Sequence, residues 1–232
     1  MTEQDAEQDT RQDAGQHRGV TATRAVVVTV AVLAVLLRGA AVGLLIKLPG
    51  SDTSAAPAKD SVDVGFAQDM AVHHLQGVTM ANTARDKTTD PAIRQLAFDI
   101  ESTQVEQVGR MKGWLTLWGM PEQSADGTHM EWMDSSSHHS SSNAGTTGLM
   151  PGMATSEELA RLRSLSGTEF DVYFLQLMLR HHQGGAPMAE YAATHAGVPV
   201  VRTLAGNMLK SQSSEGEYMK QLIQERGAAP LP

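Results

Sequence analysis

The 232-residue chain has no cysteine, only ten aromatic residues, and fewer basic than acidic side chains. Without cysteine there can be no disulfide, thiolate zinc site, iron–sulfur cluster or cysteine nucleophile. So few aromatics, beside a 41% hydrophobic fraction rich in Ala, Leu and Met, argue against a β-sandwich and for helices. Eighteen Lys and Arg against 26 Asp and Glu leave a net charge of −8, so the basic footprint of a nucleic-acid binder is missing. The chain is instead well supplied with methionine (thirteen) and histidine (nine). Any metal held here must use imidazole, thioether or oxygen.

Residues 1–24 begin with a polar, charged stretch that reads as a cytoplasmic tail. Residues 25–46 then form an apolar run, AVVVTVAVLAVLLRGAAVGLLI, with Arg38 as its one charge. At about 1.5 Å per residue such a helix crosses a hydrocarbon core of about 30 Å. Arg38 costs about 2.5–3.5 kcal/mol near the helix centre, which the surrounding apolar residues outweigh. Arg18 and Arg24 precede the run and Lys47 alone follows it, so the positive-inside rule puts the N-terminus in the cytoplasm. The expectation is a single-pass membrane anchor. The alternative is a secretory signal cleaved after Ala56-Pro57-Ala58, twelve residues beyond the run. Either way the remainder, with thirteen basic and twenty acidic residues from 59 to 232, is an exported acidic domain behind a linker at 47–60.

That domain contains an internal duplication. DVGFAQDMAVHHLQGVTMANTA (63–84) aligns without gaps to DVYFLQLMLRHHQGGAPMAEYA (171–192), at an offset of 108. The register continues through Pro91/Pro199, Arg94/Arg202, Gln104/Gln212 and Met111/Met219, giving 19 identities in 57 positions. Each unit reads as a helical hairpin. In unit one, residues 61–119, the first helix starts from Asp60 or Ser61 and ends near Arg85. Asp90 caps the second, with Pro91 at its first position. Residues 120–155 form a Met/His/Ser-rich crossover, expected to be mobile. Unit two, 156–227, opens with a short helix announced by Thr155 and Glu158 as a capping box; its hairpin follows, with Thr168 as the expected cap and Gly227 as the stop. Four long helices bury their faces economically as a four-helix bundle.

Helical spacing places Phe66, Met70, His73, Gly77, Met80 and Ala84 on one inward stripe. Phe174, Met178, His181, Gly185, Met188 and Ala192 repeat it. The second helices offer Ile93, Ala97, Ile100, Gln104, Gln107, Met111 and Trp114, then Val201, Ala205, Met208, Gln212, Glu215, Met219 and Leu222. Each stripe is apolar at its ends and polar in the middle. Gly77 and Gly185 leave room there, and Pro187 is expected to kink its helix. His74 and His182 lie about 100° round and face a flanking helix or the rim. A packing-only reading has Met fill gaps while His and Gln satisfy one another. The metal reading takes as ligands Met70, His73, His74, Met80, Met111, Met178, His181, His182, Met188 and Met219, with Gln104, Gln212 and Glu215. His73 would pair with Met70 or Met80. Thioether plus imidazole without thiolate suits copper, Cu(I) above all. The crossover adds His129, His138, His139 and further methionines, which could capture copper at the surface.

The doubled His-His-x5-Met-Ala core, with Gln104 to Met111 and Gln212 to Met219 downstream and Pro151-Gly152-Met153 before the second unit, resembles the bacterial family known as domain of unknown function 305. The resemblance spans about 60–227 and implies a ferritin-like four-helix fold, export and, for some members, copper binding and copper tolerance. It also implies a Glu at the position of Gln107, as Glu215 provides in unit two.

The residues therefore point to an extracytoplasmic metal-binding protein that buffers copper, with a metal ion and the membrane as partners and protein partners unknown. A ferritin-like di-iron oxidase needs four carboxylates and two Glu-x-x-His motifs. Met70 and Met178 stand where those Glu residues would be, so no catalytic residue is assigned and the chain reads as a non-enzyme. The remaining alternative is an envelope scaffold with a polar, metal-free core.

Overall fold

The computed structural model describes residues 56–133 and 148–231, besides Ala34. Among the described residues five helices form and no strand: α1 Val62–Lys87, α2 Pro91–Leu117, α3 Ser156–Ser164, α4 Gly167–His195 and α5 Pro199–Glu225. Local chemistry sets their ends. The Ser61 hydroxyl accepts from the Val64 N–H at the start of α1. One Asp90 carboxylate oxygen accepts from Ala92 and Ile93, and Pro91 opens α2. Thr155 and Glu158 form the reciprocal capping box of α3. Gly119 and Gly227 follow the ends of α2 and α5 at φ 66° and 65°, the left-handed conformation that stops helices cheaply in glycine. The start of α4 departs from expectation: Ser166, not Thr168, is its cap, without a side-chain hydrogen bond. Gly167 takes φ 58°, and that turn brings the chain out of α3 into α4 two residues sooner. Helix α4 then runs through Pro187 without a break.

Helices α1 and α2 pack as one antiparallel hairpin, α4 and α5 as another, and the hairpins join through α1 against α4. Asp63 fastens them, its two carboxylate oxygens accepting from the Gly197 and Val198 N–H groups at 2.9 and 2.8 Å. Asp171, its counterpart in the duplication, is just as buried, but its Oδ1 has no partner. The facing turn caps itself instead, Asp90 N–H donating to the Thr88 hydroxyl.

The bundle has two apolar clusters. One gathers Met70, Met111, Met188 and Met208 with Phe66, Leu115 and Tyr191; the other gathers Met80, Met178 and Met219 with Ile93, Phe170 and Phe174. Leu115 is fully buried and Trp114 only half-buried, which shifts the end of the α2 stripe by one residue.

The described parts of the crossover are folded onto the bundle. Met130, Met133 and Met150 are buried in the first cluster, so they are not held out at the surface for capture. Asp69 of α1 is the cause. Its carboxylate accepts from the His129 ring, the Met130 N–H and the Trp132 indole at 2.7, 2.8 and 2.7 Å. Trp132 lies on Gly65, where any Cβ would overlap the indole. His138 and His139, and the apolar run 25–46 read as an anchor, lie outside the described residues. Among the described residues no helix is long and apolar enough to cross a membrane.

Candidate metal centre

Where α1 and α4 cross, the His73 and His181 rings stack at 3.9 Å between centroids, tilted by 32°. The two glycines one turn further on make this possible. A Cβ on Gly185 would stand 3.1 Å from His73 Cε1, and one on Gly77 the same distance from His181 Cε1. The room expected beside the glycines is taken up: the Gln104 carboxamide fills the notch at Gly77, and Gln212 lies near Gly185. His74 and His182 point away from the stack into the second helix of their own hairpins. All four rings are buried, the most exposed at 3%.

Their hydrogen bonds share one pattern. His73 Nε2 bonds the Pro151 carbonyl at 3.1 Å and His181 Nε2 the His73 carbonyl at 2.9 Å. His74 Nε2 bonds Gln107 Oε1 at 2.8 Å, and His182 Nε2 bonds a Glu215 carboxylate oxygen at 2.6 Å. Each partner is an acceptor, so each ring carries its proton on Nε2. Nδ1 of all four rings is buried and has no partner. Gln104 Nε2 and Oε1 and Gln212 Oε1 are buried without partners as well. Each such group costs about 1–3 kcal/mol when left dry.

Burial also keeps His73, His74 and His181 neutral. Loss of hydration pulls His73 down to about 4, against a raising hydrogen bond to Pro151. It pulls His74 down to about 3, helped by the neighbouring His73. His181 is lowered well below the ordinary value, first by burial and then by His73. A neutral imidazole with one nitrogen held by an oxygen and the other free is the state a metal ligand requires.

The methionines divide between the clusters in a pattern that follows the duplication. Met70 and Met111 of the first hairpin lie with Met188 of the second; Met178 and Met219 of the second lie with Met80 of the first. Met70 and Met80, the alternative companions of His73, are therefore in opposite halves. Glu215 is half-buried behind His182 at its Nε2, away from Nδ1. Among the described residues no three His, Asp or Glu side chains lie so that they could hold one metal ion.

Sequence reasoning missed the residues that seat the crossover here. Gln76 pairs with the Ala154 backbone through both ends of its carboxamide, at 2.9 and 2.6 Å. Its counterpart at offset 108 is Gly184, where any Cβ would overlap the Pro151 carbonyl. Gly152, at φ 79°, lies against the same stretch of α4. The loop thus enters where the two units differ, and its carbonyl reaches His73. The signal was available in the Gln76/Gly184 and Asp69/Leu177 mismatches of an otherwise close repeat.

The sequence profile of a domain of unknown function, DUF305, matches residues 63–223. No curated protein matches the chain. Among solved structures, the chain is similar to a DUF305 protein of Streptomyces coelicolor, named as a presumed secreted protein. The two are 43% identical with a TM-score of 0.68, over 75% of this chain and 99% of that one. It is also similar to CopM in its Cu(I)-bound form, at 26% identity and TM-score 0.53. The Cu(II)-bound form gives 26% and 0.54. Each CopM alignment covers 70% of this chain and 96% of that one.

Proposed function

The chain belongs to the DUF305 family, and on that premise we propose that it is an extracytoplasmic metal-binding protein that buffers copper. The observation that carries this reading is the set of four buried imidazoles whose Nε2–H groups are committed to oxygen acceptors and whose Nδ1 atoms have no partner. Copper when bound would accept electron density from those nitrogens. The chain's part is to hold His73, His74 and His181 neutral, orient the four rings and exclude water. His73, His74, His181 and His182 would be the nitrogen ligands. Thioethers from Met70, Met111 and Met188 on one side, and Met80, Met178 and Met219 on the other, would complete mixed soft sets, with Gln104 and Gln212 as neutral oxygen donors. Glu215 would support His182. Such sets favour Cu(I) over Zn(II), Mg(II) or Ca(II).

The two hairpins are read as a ferritin-like four-helix bundle, with residues 61–119 and 156–227 as its halves and 120–155 as the crossover. The run 25–46 is read as a single-pass anchor that holds this bundle outside the cell from a cytoplasmic tail at 1–24. The bound CopM forms and the presumed secretion of the Streptomyces relative support copper and export.

The test is a Cu(I) competition titration of the purified full chain, with Zn(II) and Fe(II) as comparators. Tight, preferential Cu(I) binding that is lost in the His73→Leu/His181→Leu and Met80→Leu/Met188→Leu variants is expected. A wild-type chain with intact helical circular dichroism and no Cu(I) binding would overturn the reading in favour of a metal-free scaffold.

A further inference from the structure

The two outward histidines differ in what stands behind them. Gln107 on α2 and Glu215 on α5 occupy equivalent positions at the offset of 108. Each accepts from the Nε2–H of the histidine on its own hairpin, at 2.8 and 2.6 Å respectively. Their geometry is therefore alike while their charge is not. A carboxamide oxygen is a neutral acceptor; a carboxylate carries a full negative charge. The Glu215 side chain is 20% exposed and His182 only 2%, so water screens this pair incompletely.

An anion bonded to Nε2–H draws that proton away from the ring and raises electron density at Nδ1. It also offsets the charge of any cation arriving there. Removing such a partner typically weakens a metal site 10–100-fold. We propose that Glu215 is a positioning residue that makes the half of the centre around His182 fill with a cation first, while Gln107 leaves the half around His74 as the weaker, later site. This rests on the metal-binding reading above. It adds that the duplicated halves are graded rather than equivalent, so that one chain would buffer over two concentration ranges. Because the offsetting charge acts on the full charge of the ion, the grading is larger for a divalent than for a monovalent cation.

The test uses the full chain labelled with 15N-histidine, kept in detergent for its apolar run, and titrated with Ag(I) as a diamagnetic soft cation. Long-range 1H–15N correlations follow each imidazole separately. The expected result is that His182 Nδ1 shifts with the first equivalent and His74 Nδ1 with a later one, their midpoints 10–100-fold apart. Glu215→Gln should bring the midpoints within about threefold, and Gln107→Glu should tighten the His74 site while leaving His182 unchanged. Because Gln107→Glu adds a charge behind His74 and leaves the His182–Glu215 pair in place, it decides the matter even if Glu215→Gln fails to fold. His74 and His182 shifting together in the wild-type chain, or a loading order indifferent to both substitutions, would overturn the grading while leaving metal binding intact. Failure of silver to move any imidazole would overturn the metal reading and the grading with it.

Discussion

Mild acid should unfold the metal-free protein well above the pH at which carboxylates protonate. His73 and His74 are held at about 4 and about 3 in the folded chain, and His181 is also well below the ordinary value, chiefly because burial removes their hydration. In the unfolded chain each returns to about 6.5. The folded values lie below the unfolded ones, so stability is full above about pH 6.5 and falls as pH drops, because the unfolded chain takes up protons that the folded chain refuses. Between pH 7 and pH 5 each ring contributes about 2 kcal/mol to that loss, and three together about 5–6 kcal/mol. A domain stable by about 5–15 kcal/mol loses much or all of its margin on that scale. The carboxylates whose values are lowered, such as Glu101 and Glu158, titrate below this window and do not blur it. The assay is urea denaturation followed by far-ultraviolet circular dichroism at half-unit steps from pH 7 to 5, on apo protein. A denaturation midpoint that stays constant over that interval would refute the claim that these rings are dry and neutral. Saturating the protein with Cu(I) should move the acid transition to lower pH, because a metal on Nδ1 blocks protonation.

Three further outcomes follow from side-chain geometry. Gly184→Ala should displace Pro151-Gly152 and release the His73 Nε2–H, with a loss on the order of 2 kcal/mol in unfolding free energy, read as a lower urea midpoint; an unchanged midpoint would mean the loop does not rest on α4. Asp69→Ala strips three hydrogen bonds from the crossover and should cost about 3 kcal/mol, with a red shift of tryptophan emission as Trp132 leaves Gly65; unaltered emission would contradict the latch. Gly109→Ala and Gly206→Ala meet nothing within 4 Å, and each should raise the unfolding free energy by about 0.5–1 kcal/mol, seen as a higher urea midpoint, with copper binding unaffected.

The duplication, the helix limits set by Ser61, Asp90, Pro91, Thr155 and Gly227, and the buried stripe through His73 and His181 were all determined by the sequence, because caps, turns and the 3.6-residue period are local physics. The ligand chemistry was legible for the same reason: residue types and their spacing are visible without coordinates. Whether Met70 or Met80 shares a half with His73 was not, since that depends on α1 and α4 running antiparallel, which pairs Met70 with Met188 and Met80 with Met178. That the described ends of the crossover fold onto the bundle was not legible, because composition cannot reveal that Asp69, 60 residues earlier, accepts the His129 proton. Which imidazole nitrogen is free is also a tertiary fact. It depends on Pro151, Gln107 and Glu215 reaching Nε2 from other elements, and that leaves four Nδ1 atoms without partners in the interior.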